Sequence, residues 1–176
     1  MRLQEPFIKA HLALWLAGEG ATAITVSIDG AEPNASCIQE ILLAEGFSHE
    51  VNRKSRARWT GKYWRGGTTI SVISRPGVDV RALLADGRLF QAECKGEPTT
   101  KGTRAGNDQT AFYTGLGQLL MTSGRSTQSP DVAALVLPDT ERFARWATEA
   151  SRNQFLKGLN LKWLLVRADG QVRGIE

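Results

Sequence analysis

Residues 76–95, PGVDVRALLADGRLFQAECK, hold the reading that decides the fold. Phe90, Ala92 and Cys94 alternate with Gln91, Glu93 and Lys95, which makes a strand with one apolar and one polar face. Upstream, Val78, Val80, Ala82 and Leu84 alternate with Asp79, Arg81 and Leu83. Asp86-Gly87 marks the turn between them. A two-residue turn would set Val80 opposite Glu93 and Val78 opposite Lys95, mixing the faces. A three-residue loop, Ala85-Asp86-Gly87 with Gly87 left-handed, sets Val78 opposite Cys94, Val80 opposite Ala92, Ala82 opposite Phe90 and Asp79 opposite Glu93. Because a one-residue slip turns every side chain to the other face, the pattern selects the second register.

Outward from this hairpin the chain alternates helical and extended texture. Residues 5–17 carry apolar groups at a helical period and stop at Gly18. A β-branched strand follows over 21–28. Pro33 suits the first turn of a second helix reaching about Glu45. From Ser48 to Lys95, strand formers broken by Gly61, Gly66-Gly67, Pro76-Gly77 and Asp86-Gly87 predict an antiparallel meander. The polar run 96–106, with Lys101 and Arg104, reads as a mobile loop. Asn107 or Asp108 would cap a helix over about 109–122. A buried strand at 132–137, a helix at 140–150 and a strand pair at 161–167 and 172–175 close the chain. An α/β fold with a mixed central sheet flanked by helices is expected, in a single domain over 1–176.

Composition bounds the function. The 176 residues are 41% hydrophobic and 23% charged, values of an ordinary globular chain. Cys37 and Cys94 are too few and too far apart for a disulfide scaffold or a zinc ribbon, and two histidines exclude a His-rich metal site. No apolar run approaches a membrane span, so no membrane partner and a reducing cytoplasmic setting are expected. The net charge is +4. Six bases, Arg53, Lys54, Arg56, Arg58, Lys62 and Arg65, lie in 53–65 with no acid, and the remaining 16 bases face 18 acids, a balance of −2. Trp59, Tyr63 and Trp64 interleave with them. Bases neutralise phosphates and exposed rings stack on nucleobases, so this stripe is a candidate nucleic-acid contact. Basic residues also guard sheet edges against aggregation.

Chemistry concentrates on the hairpin. Directly opposed residues have Cβ atoms about 5 Å apart. Two carboxylates that close repel unless a hard cation lies between them, and oxygen donors at this spacing suit Mg²⁺, or Mn²⁺ in its place. Lys95 projects from the same face, where it can position a metal-bound water or help deprotonate it.

Asp79, thirteen residues, then Glu93-x-Lys95 resembles the PD-(D/E)xK motif of the restriction endonuclease-like nucleases, without the usual Pro directly before the Asp. The resemblance implies a core of helix, three strands, helix and strand, matched to about 34–137. Residues 1–30 would be an N-terminal addition to it and 138–176 a C-terminal helix and strand pair. It implies that Asp79, Glu93 and the Cys94 carbonyl hold Mg²⁺, that Lys95 serves the attacking water, and that a phosphodiester is hydrolysed. The family often adds a Glu from a helix before the sheet: Glu40 is favoured, Glu5 is the rival. It also often carries a Gln on the next helix. Gln109 matches a QxxxY pattern and sits on the apolar arc of that helix, whereas Gln118 matches a Gly-Gln-Leu-Leu signature. The expected activity is a metal-dependent endonuclease acting on nucleic acid, DNA favoured, with a homodimer supplying two sites. A nucleic-acid-binding module without catalysis is the alternative.

Overall fold

The computed structural model describes residues 2–29, 32, 34–98, 104–123 and 130–175, the side chains of 104, 105, 122 and 123 excepted. Its elements in chain order are α1 (Glu5–Gly18), β1 (Ala23–Ile28), α2 (Cys37–Ala44), β2 (Ser48–Val51), β3 (Gly61–Arg65), β4 (Thr68–Ser74), β5 (Val80–Leu83), β6 (Leu89–Cys94), α3 (Arg104–Ser123), β7 (Val132–Pro138), α4 (Glu141–Arg152), α5 (Gln154–Gly158), β8 (Leu161–Val166) and β9 (Val172–Ile175). The strands form one mixed sheet in the order β2-β3-β4-β1-β5-β6-β7-β8-β9. The α/β architecture with a mixed sheet flanked by helices is therefore as expected.

The β5–β6 hairpin has the register that its two-faced pattern selects: Val80 opposes Ala92 and Ala82 opposes Phe90. Gly87 takes φ +84° and its amide donates to the Leu84 carbonyl at 3.0 Å, closing the three-residue loop. In the meander the structure departs from expectation. β2, β3 and β4 are antiparallel neighbours, but β1 lies between β4 and β5, parallel to one and antiparallel to the other. The strand expected as part of an N-terminal addition is thus near the middle of the sheet. In β1, Ile24, Val26 and Ile28 are buried.

Two cores sandwich the sheet. Ile8, Leu12 and Leu16 of α1 and Ile38 and Leu42 of α2 pack on one face, against Ile24, Val80, Ala92 and Cys94. Phe112 and Leu119 of α3 and Phe143 and Ala147 of α4 pack on the other, against Leu135 and Trp163. On that second face Lys62, Trp64, Arg81 and Leu83, from β3 and β5, remain exposed.

Other boundaries move for identifiable reasons. α2 starts at Cys37, and Pro33 lies outside the described residues. α3 starts at Arg104, so neither Asn107 nor Asp108 caps it. Asp108 is buried within the helix and accepts from Arg142 of α4 at 2.9 Å. Of the loop expected over 96–106, Lys101 lies outside the described residues. α4 is capped by Thr140, whose hydroxyl oxygen accepts from the Phe143 amide. Among the described residues no helix is long and apolar enough to cross a membrane.

Candidate active site

The polar ends of β5 and β6 meet the start of α1. The Ser27 amide donates to the Asp79 carbonyl at 2.8 Å, continuing the β1–β5 ladder to the acid itself. The Cys94 amide donates to Asp79 Oδ2 at 2.8 Å, so the end of β6 orients that carboxylate. After β6 the chain pairs with the segment leading into α1: Glu97 N donates to the Leu3 carbonyl at 2.7 Å, and Leu3 N to Glu97 Oε2 at 2.8 Å. Pro6 then suits the first turn of α1, and Glu5 in that turn complements its positive end. These pairings set Glu5 beside Lys95, with Nζ–Oε2 at 3.8 Å.

Six charged groups converge there. Lys95 Nζ donates to Glu93 Oε1 at 2.9 Å. Lys9 Nζ lies 2.8 Å from Asp79 Oδ1, 3.0 Å from Glu5 Oε1 and 2.7 Å from Glu32 Oε1. Asp79 and Glu93 are both buried, at 7% and 5% exposure. Burial, reinforced by the charge of Asp79, pushes the Glu93 carboxyl up to about 7, against the opposing pull of Lys95. Burial also works against the ammonium of Lys95, but Glu5, Glu93 and Asp79 outweigh it and raise its pKa. Lys95 is therefore a fixed cation at neutral pH. It can orient a water or a phosphate oxygen but cannot accept a proton in this state.

The mouth of the cluster is a cleft of about 430 Å³ between the start of α1 and α3, lined by Glu5, Glu32, Lys95, Thr114 and Gln118 among others. Lys95 is held against α3 at Gly115, where a Cβ would stand 2.8 Å from Lys95 Cγ and 2.9 Å from Leu135 Cδ1.

The expected set of residues is partly assembled. Asp79, Glu93 and Lys95 come together, with Cys94 between the last two and its thiol side buried on the α1 face. Glu40 is exposed on α2 and forms none of the ion pairs of the cluster; Glu5 takes the place expected for it. The core face of α2 is Ile38 and Leu42, which turns Glu40 to solvent. Of the two glutamines, Gln118 lines the cleft, whereas Gln109 is exposed and does not line it. The apolar arc that favoured Gln109 fails because Tyr113 is 59% exposed. The inward face is instead Asp108, Phe112, Gly115 and Leu119, and two of these four carry no apolar side chain. Lys9 and Glu32 were not anticipated. The Glu5-x-x-x-Lys9 spacing is a helical ion-pair signal, but it commonly marks a solvated face; Glu32 has no local signal.

The basic stripe lies on β3 and the loop before it, four strands from β6. Arg53, Lys54, Arg56, Arg58, Lys62 and Trp64 are exposed. Trp59 packs against the core, and its carbonyl accepts from the buried Tyr63 hydroxyl at 2.7 Å. Arg65 stacks over Phe47 at 4.6 Å and donates to the Glu45 carbonyl. Trp59, Tyr63 and Arg65, three of the nine residues named in the stripe, are therefore already engaged within the protein.

The chain matches no protein-family model, no curated protein and no solved structure.

Proposed function

We propose that this protein is a divalent-metal-dependent nuclease of the restriction endonuclease-like class that hydrolyses phosphodiester bonds, with DNA the favoured substrate. The observation that carries this reading is the meeting of Asp79, Glu93, Lys95 and Glu5 at one end of the sheet, beneath an open cleft. The order helix, three strands, helix, strand supports it when traced through α1, β1, β5, β6, α3 and β7, with α2 to β4 inserted after β1. In that trace the three strands and the last are successive neighbours in the sheet, and Glu5 lies on the first helix.

The residues fit a hard divalent cation. The donors are all oxygen, Asp79 and Glu93 are buried acids close enough for the charge of one to raise the pKa of the other, and a nearby cation would lower that raised pKa of Glu93. Asp79, Glu93 and the Cys94 carbonyl would hold Mg²⁺, or Mn²⁺ in its place, which supplies an activated water and neutralises charge on the phosphate. Asp79 is already oriented by the Cys94 amide and Lys9. Lys95, clamped between Glu93 and Gly115, presents its ammonium to the attacking water and the phosphate oxygens. Gln118, which lines the cleft, would contact the substrate there.

The exposed bases of β3 and its preceding loop would hold the substrate backbone away from the cut. Four inter-strand steps separate β3 from β6, about 19 Å. Along a duplex that distance is about six base pairs. The test is cleavage of plasmid and oligonucleotide with Mg²⁺, with EDTA, and by Lys95→Ala. Mg²⁺-dependent products that the variant no longer makes are expected; equal cleavage by the variant would defeat the proposal.

A further inference from the structure

Lys9 stands out among the groups that the proposed chemistry does not require. It lies in α1, yet is only 1% exposed. Its Nζ is surrounded by oxygen alone: Glu5 Oε1 at 3.0 Å, Glu32 Oε1 at 2.7 Å, Asp79 Oδ1 at 2.8 Å and the Ser27 carbonyl at 3.1 Å. An ammonium has three protons to donate, and here it meets four acceptors, three of them carboxylates. The oxygens of Glu5, Glu32 and Asp79 lie within 4.8 Å of one another, a spacing that suits a hard cation. Burial opposes the ammonium, but Asp79, Glu5 and Glu32 overcome that and hold it charged.

The charge balance of the whole cluster bears on the same point. Four carboxylates, Glu5, Glu32, Asp79 and Glu93, face two ammoniums, Lys9 and Lys95. With Glu93 ionised, the excess is two negative charges, which one divalent ion cancels and a second would overshoot. Without Lys9 the three acids around it would lose the cation they share in a largely enclosed place, which is costly unless another cation arrives.

We propose that Lys9 is a built-in cation that fills what would otherwise be a second divalent-ion position, limiting the site to one metal ion and orienting Asp79 through Oδ1. This inference rests on the nuclease reading of the Asp79–Glu93 pair. Lys9 is a positioning residue: it sits behind Asp79, acting through that carboxylate and through the number of ions the site accepts. A purely structural lysine would hold α1 to β1 and β5 with the same ion pairs, but would leave the ion count alone.

The test is equilibrium binding of Mn²⁺, followed by the paramagnetic resonance signal of the free ion, to the full chain and to Lys9→Met, Lys9→Met/Glu32→Gln and Glu93→Gln. Expected are one ion in the unmodified protein, two in Lys9→Met, one again in the double variant, and weakened binding in Glu93→Gln. One ion in both the unmodified protein and Lys9→Met, lost in Glu93→Gln, would overturn the role of Lys9 and leave the nuclease reading standing. No Mn²⁺ bound by the unmodified protein would overturn both. If Lys9→Met does not fold, the unmodified protein decides through its lysine ammonium resonances in ¹⁵N-detected spectra. Saturating Mg²⁺ should shift Lys95 and leave Lys9 in place; displacement of the Lys9 signal would overturn the inference.

Discussion

Lys95 enters the site charged, because three acids outweigh the cost of its burial. Its replacement by Ala should lower cleavage by about 100-fold or more, the range expected when a group that handles the reacting proton or charge is removed. Glu93 carries the pH dependence. Its carboxyl sits near 4.5 in an unfolded chain and is pushed up to about 7 in the folded one, first by burial and then by Asp79. Between those values the folded protein binds a proton that the unfolded chain has released, so stability falls as pH rises through that window. A divalent ion held at the proposed site would take the place of that proton. The rise in Tm on adding Mg²⁺ should therefore be larger at about pH 8 than at about pH 5. An equal rise at both, measured by calorimetry, would show that Glu93 is not a ligand.

At the scale of elements, the contact of α3 with β6 sets where Lys95 points. A methyl group at Gly115 would press on Lys95 and on Leu135, so Gly115→Ala should cost about 1–3 kcal/mol and displace the ammonium. Urea denaturation checks the first effect, and cleavage, reduced more than stability explains, checks the second. The hairpin of β5 and β6 was legible in the sequence because both of its faces are patterned and only one register keeps them apart. The place of β1 was not, since a parallel pairing between strands about forty residues apart has no turn to announce it. Glu5 was ranked behind Glu40 because its position depends on the pairing of Leu3 with Glu97, across 94 residues. Gln118 lost to Gln109 on helix geometry because Gly115, the closest contact of α3 with the site, contributes no hydrophobic mark. Lys9 looked like surface for the ordinary reason that lysines are seldom buried.

Across the whole molecule the charge is divided by position. Glu5, Glu32, Asp79 and Glu93 gather at one end of the central strands, and the six bases of 53–65 lie at the β3 side of the sheet, about 19 Å away. A substrate that touches both must be long enough to cross β4, β1 and β5. Affinity should therefore drop for duplexes shorter than about six base pairs, measured by fluorescence anisotropy across a length series. Arg56→Ala with Arg58→Ala should weaken binding of long duplexes and lower the salt slope by about two, with the cleavage products unchanged. Unchanged affinity and slope would remove the stripe from the interface. The proposed function depends most directly on which carboxylates would share a metal with Asp79. Single-turnover cleavage of a labelled duplex in Mg²⁺ tests that directly, with Glu93→Gln, Glu5→Gln and Glu40→Gln beside the unmodified protein. Loss by about 100-fold or more in Glu93→Gln, a clear loss in Glu5→Gln and an unchanged rate in Glu40→Gln are expected. Equal rates in all four proteins, or a loss confined to Glu40→Gln, would contradict it.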